Sequence, residues 1–126
     1  MLEWVLAGAI GAAEPRQDAA DLTTLKTCVA HMLVVETAVE EGHWAAIPGA
    51  QLPRPGSRFR TMGMVLLLDA FARAAERAGV DVAGLAPEVE ALAQQAPRAQ
   101  SAGDVAMALK REGDCFRMVG VEEPED

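Results

Sequence analysis

The chain contains no tyrosine, and aromatic residues of every kind make up only 4% of it. Its hydrophobic content of 51% is therefore carried by Ala, Leu, Val and Met. That composition favours helices over a β-sandwich, which draws on aromatic and β-branched packing. Histidine is equally scarce, with His31 and His43 as the two present. No nucleophile–base set, glycine-rich phosphate loop or G-x-S-x-G elbow occurs, and the stretch "GSRFRTMG" lacks the lysine and glycine spacing of a P-loop. These absences argue against an enzyme.

Positive charge is also in short supply. Eleven Lys and Arg stand against nineteen Asp and Glu, for a net charge of -8 and a pI of about 4.7. A nucleic-acid duplex or an anionic membrane surface repels that balance, whereas a basic protein partner suits it. The apolar N-terminal segment, residues 2–13, is too short to span a bilayer. It carries Glu3 where a signal peptide would carry a basic residue, so it is expected to be mature structure, either helix or strand. Cysteine is limited to Cys28 and Cys115, without a C-x-x-C pair. No zinc or redox motif follows. Two buried free thiols in a reducing cytoplasm are the default expectation, with a long-range disulfide as the alternative.

What is present reads as one helical domain over residues 1–121 with an acidic, disordered tail over 122–126. The expected fold is mostly α, an irregular bundle of four to five helices with one short C-terminal β-strand. Glu14-Pro15 stops the first segment. Asp18 is the expected N-cap of a helix to Glu41, with Asp21 in its first turn and Gly42 as its stop. Its apolar stripe of Leu22, Leu25, Val29 and Met32 is interrupted by Glu36. A proline-rich loop over residues 43–56 follows. Ser57 caps a helix over 57–78 so apolar that it is either central or an oligomer interface; this helix and the unpaired C-terminal strand are together the basis for expecting a homodimer. Pro87 opens a short helix to Ala96. Ser101 and Asp104 form a capping box for a last helix closed by Gly113, after which "DCFRMVGV" has strand composition.

Four groups of residues bear on function. Glu36, Glu40 and His43 fall at i, i+4 and i+7, within an arc of about 60° on a helix. Carboxylate and histidine at such spacing are the ligand types of di-metal helical bundles, and a two-fold dimer would supply the second half of the site. Gly42 counts against this, because a helix that stops there takes His43 out of register. Arg54, Arg58 and Arg60 gather at a helix start, where they suit an anion or a partner, or salt-bridge to the chain's own acid. The C-terminal order of helix, turn, helix and strand has the rhythm of a winged helix-turn-helix that would place Ser101, Asp104 and Lys110 on its recognition helix. Asp104 and the acidic chain oppose DNA readout. Met62, Met64, Met107 and Met118 fill a core or line an adaptable partner groove.

Together these features lead to the expectation of a cytoplasmic, non-enzymatic interaction protein: an acidic adaptor, inhibitor or immunity-type binder of a basic partner. No cofactor is called for. The alternatives are a dimeric metal-binding bundle built on Glu36, Glu40 and His43, and a helix-turn-helix regulator.

Overall fold

The computed structural model describes residues 21–54 and 56–122. The expectations for residues 2–13, Asp18 and residues 123–126 lie outside them. Four helices follow in order: α1 (Leu22–Glu40), α2 (Arg58–Arg77), α3 (Ala86–Gln95) and α4 (Ala102–Met118), with short 3-10 turns at Trp44–Ala46 and Val82–Leu85.

Side-chain caps open three of the helices. Asp21, not a first-turn residue after all, caps α1 by accepting from the Thr24 N–H at 2.7 Å, with its own backbone extended. Ser57 accepts from the Arg60 N–H at 3.3 Å, and Ser101 from the Asp104 N–H at 3.1 Å. Glycine closes α1, α2 and α4. At Gly42, Gly79 and Gly120 the backbone turns left-handed, with φ of 76°, 74° and 99°. Each helix then finishes in the same pair of bonds: His43 to Ala38 and Gly42 to Val39, Val80 to Ala75 and Gly79 to Glu76, Val121 to Phe116 and Gly120 to Arg117. This is the Schellman arrangement, which satisfies carbonyls that a helix end leaves unpaired.

The expected C-terminal strand is absent: its residues 114–118 continue α4, and no strand occurs among the described residues. Gly113 is therefore an interior helical residue, and Gly120 is the stop. Cys115 and Phe116 are adjacent in sequence yet both buried, which a helix facing two neighbours allows and a one-sided strand does not. They extend a stripe of Val105, Glu112, Phe116 and Val119 at helical spacing. That tertiary demand outweighs the local strand composition.

The central helix is α1, which packs on α2, α3 and α4 alike. It is long and apolar enough by composition to cross a bilayer, and here that character meets three neighbours. The very apolar α2 packs, among the described residues, on α1 and α4 and on the Val82–Leu85 turn. The main core joins Leu25, Val29, Leu67, Phe71, Ala75 and Phe116, and a smaller cluster of Val35, Ala38, Trp44 and Val105 joins α1, the turn after it and α4. Cys28 and Cys115 are not free thiols: they form a disulfide between α1 and α4 across 87 residues of sequence. Their Cα atoms stand 5.7 Å apart, within the range such a bond requires.

Candidate functional site

Glu36, Glu40 and His43 are dispersed. Helix α1 stops at Glu40, and the left-handed Gly42 carries His43 away from the helical face. The imidazole Nε2 of His43 lies 3.2 Å from Glu41 on the exposed surface. Glu40 is exposed as well, whereas Glu36 turns toward α2. No group of three or more His, Cys, Asp or Glu side chains among the described residues is arranged to hold a metal ion.

The arginine cluster divides in a similar way. Arg54 and Arg58 are exposed. Arg60 points inward from α2 and pairs with two carboxylates, Glu36 of α1 and, at 3.2 Å, Glu112 of α4. Each of the three sits on its helix's apolar stripe: Arg60 in line with Gly63, Leu67 and Ala70, Glu36 beyond Leu25, Val29 and Met32, and Glu112 between Val105 and Phe116. Three charges at core positions thus converge where α1, α2 and α4 meet. Glu112 is 2% exposed, and its Oε2 has no hydrogen-bond partner among the described residues. Burial raises its pKa above the usual glutamate value, and the charge and hydrogen bond of Arg60 act in the opposite direction. Arg60 and Glu112 are largely shielded from solvent while Glu36 is partly exposed, and loss of the cation would leave Glu112 buried without a counter-charge.

A larger concavity lies further round α1, on the flank that carries Leu33, Val34 and Thr37. Helices α3 and α4 both pack on α1 without packing substantially on each other. The space between them is a groove of about 1280 Å³, partly open to solvent. Leu33, Val34 and Thr37 of α1 form its floor, Glu90 and Ala93 of α3 one wall, and Met107, Ala108 and Arg111 of α4 the other. The turn from Gly42 to Ile47 closes one end, and Arg98 stands at the α3–α4 connection. Lys26 of α1 pairs with Glu88 of α3 at 2.7 Å on the partly exposed surface.

No family model matches the chain, and no curated protein or solved structure shows significant similarity to it.

The groove is largely apolar inside and charged at the rim. Among the described residues, Arg98, Arg111 and Glu90 form no ion pair, whereas Asp104 is occupied in accepting from the Gln100 N–H at 2.9 Å. Behind the rim, His31 is half-buried, and its pKa is lowered by burial first and by the Arg111 charge second. His31 is therefore neutral at physiological pH and adds no positive charge beside Arg111. Met107, 50% exposed, supplies adaptable apolar surface on the α4 wall. Of the other methionines, Met64 and Met118 pack against the core and Met62 is exposed on α2.

The helix-turn-helix residues fare differently. Ser101 caps α4 and Asp104 completes its cap, while Lys110 pairs with Asp114 at 3.1 Å. The segment that would form the wing is helical. The sequence missed Glu112 because ending the last helix at Gly113 cut its stripe short. It missed the groove because that depends on how far apart α3 and α4 are held.

Proposed function

We propose that this chain is a non-enzymatic protein-interaction module that seats an amphipathic helical segment of a partner in the groove between α3 and α4. The observation that carries this reading is the pairing of α3 and α4 with α1 but not with each other. Among the described residues, three helices held this way form a bundle with one position unfilled. An apolar helix face on Leu33, Val34 and Met107 fits such a space, read as anchors at i, i+3, i+4 and i+7. Carboxylates on the incoming segment pair with Arg111 and Arg98, the two guanidinium groups left unmatched at the rim.

The net charge of -8 favours approach of a partner that is basic overall. Part of that charge belongs to Glu3, Glu14, Asp18, Glu123, Glu125 and Asp126, which fall beyond the described residues, with Arg16 their one basic counterpart. Long-range charge thus governs how fast a partner arrives, and the groove governs what is held. The Cys28–Cys115 bond fits work in an oxidising compartment better than the cytoplasm expected for free thiols.

Selection of helical peptides on the full chain tests this reading. Binders are expected to be amphipathic, with carboxylates beside the apolar face. They are expected to lose at least about tenfold in affinity with Met107→Glu and again with Arg111→Glu. Selected peptides that bind both variants as well as the parent chain would remove the groove from the proposal. Turnover of a substrate would remove the non-enzymatic part.

A further inference from the structure

Helix α2 carries a second apolar face that no other described residue covers. Met62, Val65 and Leu68 are 47%, 58% and 46% exposed, although Leu67 and Phe71 on the same helix are buried. At about 100° per residue, Met62 and Leu68 lie roughly 60° to either side of Val65. The exposed Ala72 continues the strip within about 20° of Val65. No residue of α2 lines the groove between α3 and α4, so this surface is separate from it.

The charges on this face are ordered. Arg58 stands at its N-terminal end and Glu76 at its C-terminal end, both exposed and both within about 20° of the Val65 direction. Neither takes part in an ion pair among the described residues, whereas Asp69 and Arg73 between them pair with each other at 2.8 Å. Thr61 and Asp69, also exposed, lie within about 40° of Val65, closer to it than Met62 and Leu68. With Asp69 held by Arg73, a strip that has Met62, Val65 and Leu68 about its centre, Arg58 at one end and Glu76 at the other complements itself when turned end for end.

We infer that α2 pairs with α2 of a second copy of this chain, antiparallel, about a two-fold axis at Val65. In that pairing Val65 meets its own counterpart, with Met62 and Leu68 flanking the contact. Arg58 of each copy falls opposite Ala72 of the other, within one helical turn of Glu76. Two ion pairs form, one at each end, as a two-fold interface requires. The antiparallel dipoles add a favourable term. From Arg58 to Glu76 the face is roughly 27 Å long. One helix pair of that length is a small interface, so the dimer is a weak one that forms with rising concentration.

Sedimentation equilibrium on the full chain up to about 300 µM reads the association directly. A reversible dimer is expected, weakened at least about tenfold by Val65→Asp with the circular dichroism unchanged, since Val65 supports no core contact. Arg58→Glu is expected to weaken it, and the double change Arg58→Glu with Glu76→Arg to restore it. Val65→Cys is expected to give a disulfide-linked dimer on mild oxidation. A parent chain that stays monomeric throughout overturns the inference, and so does a dimer indifferent to Val65→Asp. Failure of the charge-swapped pair to recover, or of Val65→Cys to cross-link, overturns the antiparallel register. If another segment or a different protein covers the face, the monomeric result is the one obtained.

Discussion

The ring of Phe116 occupies the space in which a side chain on Gly63 would stand: a Cβ added there would lie 2.3 Å from the ring's Cγ. Phe116 is fully buried, and Phe59 meets it edge-on at 5.6 Å, so the ring has nowhere to withdraw. Gly63→Ala gains up to about 1 kcal/mol of helix propensity, but overpacking of a fixed ring costs about 1–3 kcal/mol. Net destabilisation is expected in urea denaturation, with partial recovery when Phe116→Leu is added. A variant as stable as the parent would show that α2 and α4 are not in this contact.

Gly113→Ala is expected to act in the opposite direction. Gly113 lies inside α4, and the atom nearest to an added Cβ is Nη1 at the end of the Arg117 side chain, 3.3 Å away. A guanidinium group that is partly exposed can shift by a few tenths of an ångström. The substitution should stabilise by up to about 1 kcal/mol. Loss of stability would restore Gly113 as a helix stop, since a left-handed glycine resists replacement by alanine.

Arg60→Met leaves Glu36 and Glu112 together without their cation and is expected to cost about 3–5 kcal/mol near neutral pH. Glu112→Gln costs less, because Arg60 keeps Glu36. The two variants also separate by pH. The pKa of Glu112 is raised in the folded chain above its ordinary 4.5, so between those two values the native state holds more protons than the unfolded state. Stability contributed at this site is then fully present below the unfolded value and is lost as pH rises through the folded one. Urea midpoints measured from roughly pH 4 to pH 8 should fall less steeply for Glu112→Gln than for the parent chain. Parallel profiles would place Glu112 in water.

Loss of the Cys28–Cys115 bond should lower stability by about 2–5 kcal/mol, since the bond restrains a long loop in the unfolded chain. Reduction of the parent chain and the double change Cys28→Ala with Cys115→Ala should agree in direction. Thiol titration of unfolded, unreduced protein should find no free thiol. Two reactive thiols would return both residues to the unpaired state expected from composition.

Helix ends were the most legible part of this protein. Ser57, Ser101, Gly42 and Gly79 each act where local chemistry places them, because a cap is satisfied by backbone groups two to six residues away. The candidate sites were less legible. The break at Gly42 already foretold that His43 would leave the helix. That Arg60 would turn from its neighbours Arg54 and Arg58 to join Glu36 and Glu112 was visible only in part, as a charge at an apolar stripe position. The error at Gly113 arose because a glycine inside a helix and one at its end look alike in sequence. What distinguishes them is whether a buried stripe continues, and Phe116 and Val119 continue it.

By itself, then, the sequence determined the helical class and most of the boundaries, since propensity, capping and turn chemistry act over a few residues. Tertiary structure alone decided that α1 and not α2 is central, that Cys28 meets Cys115, that three charged stripe positions share one interior site, and that α3 and α4 stand apart over a groove. Those outcomes depend on the rotation and spacing of helices that are distant in the chain. Packing of the whole set of buried faces fixes such angles, and no single segment carries them.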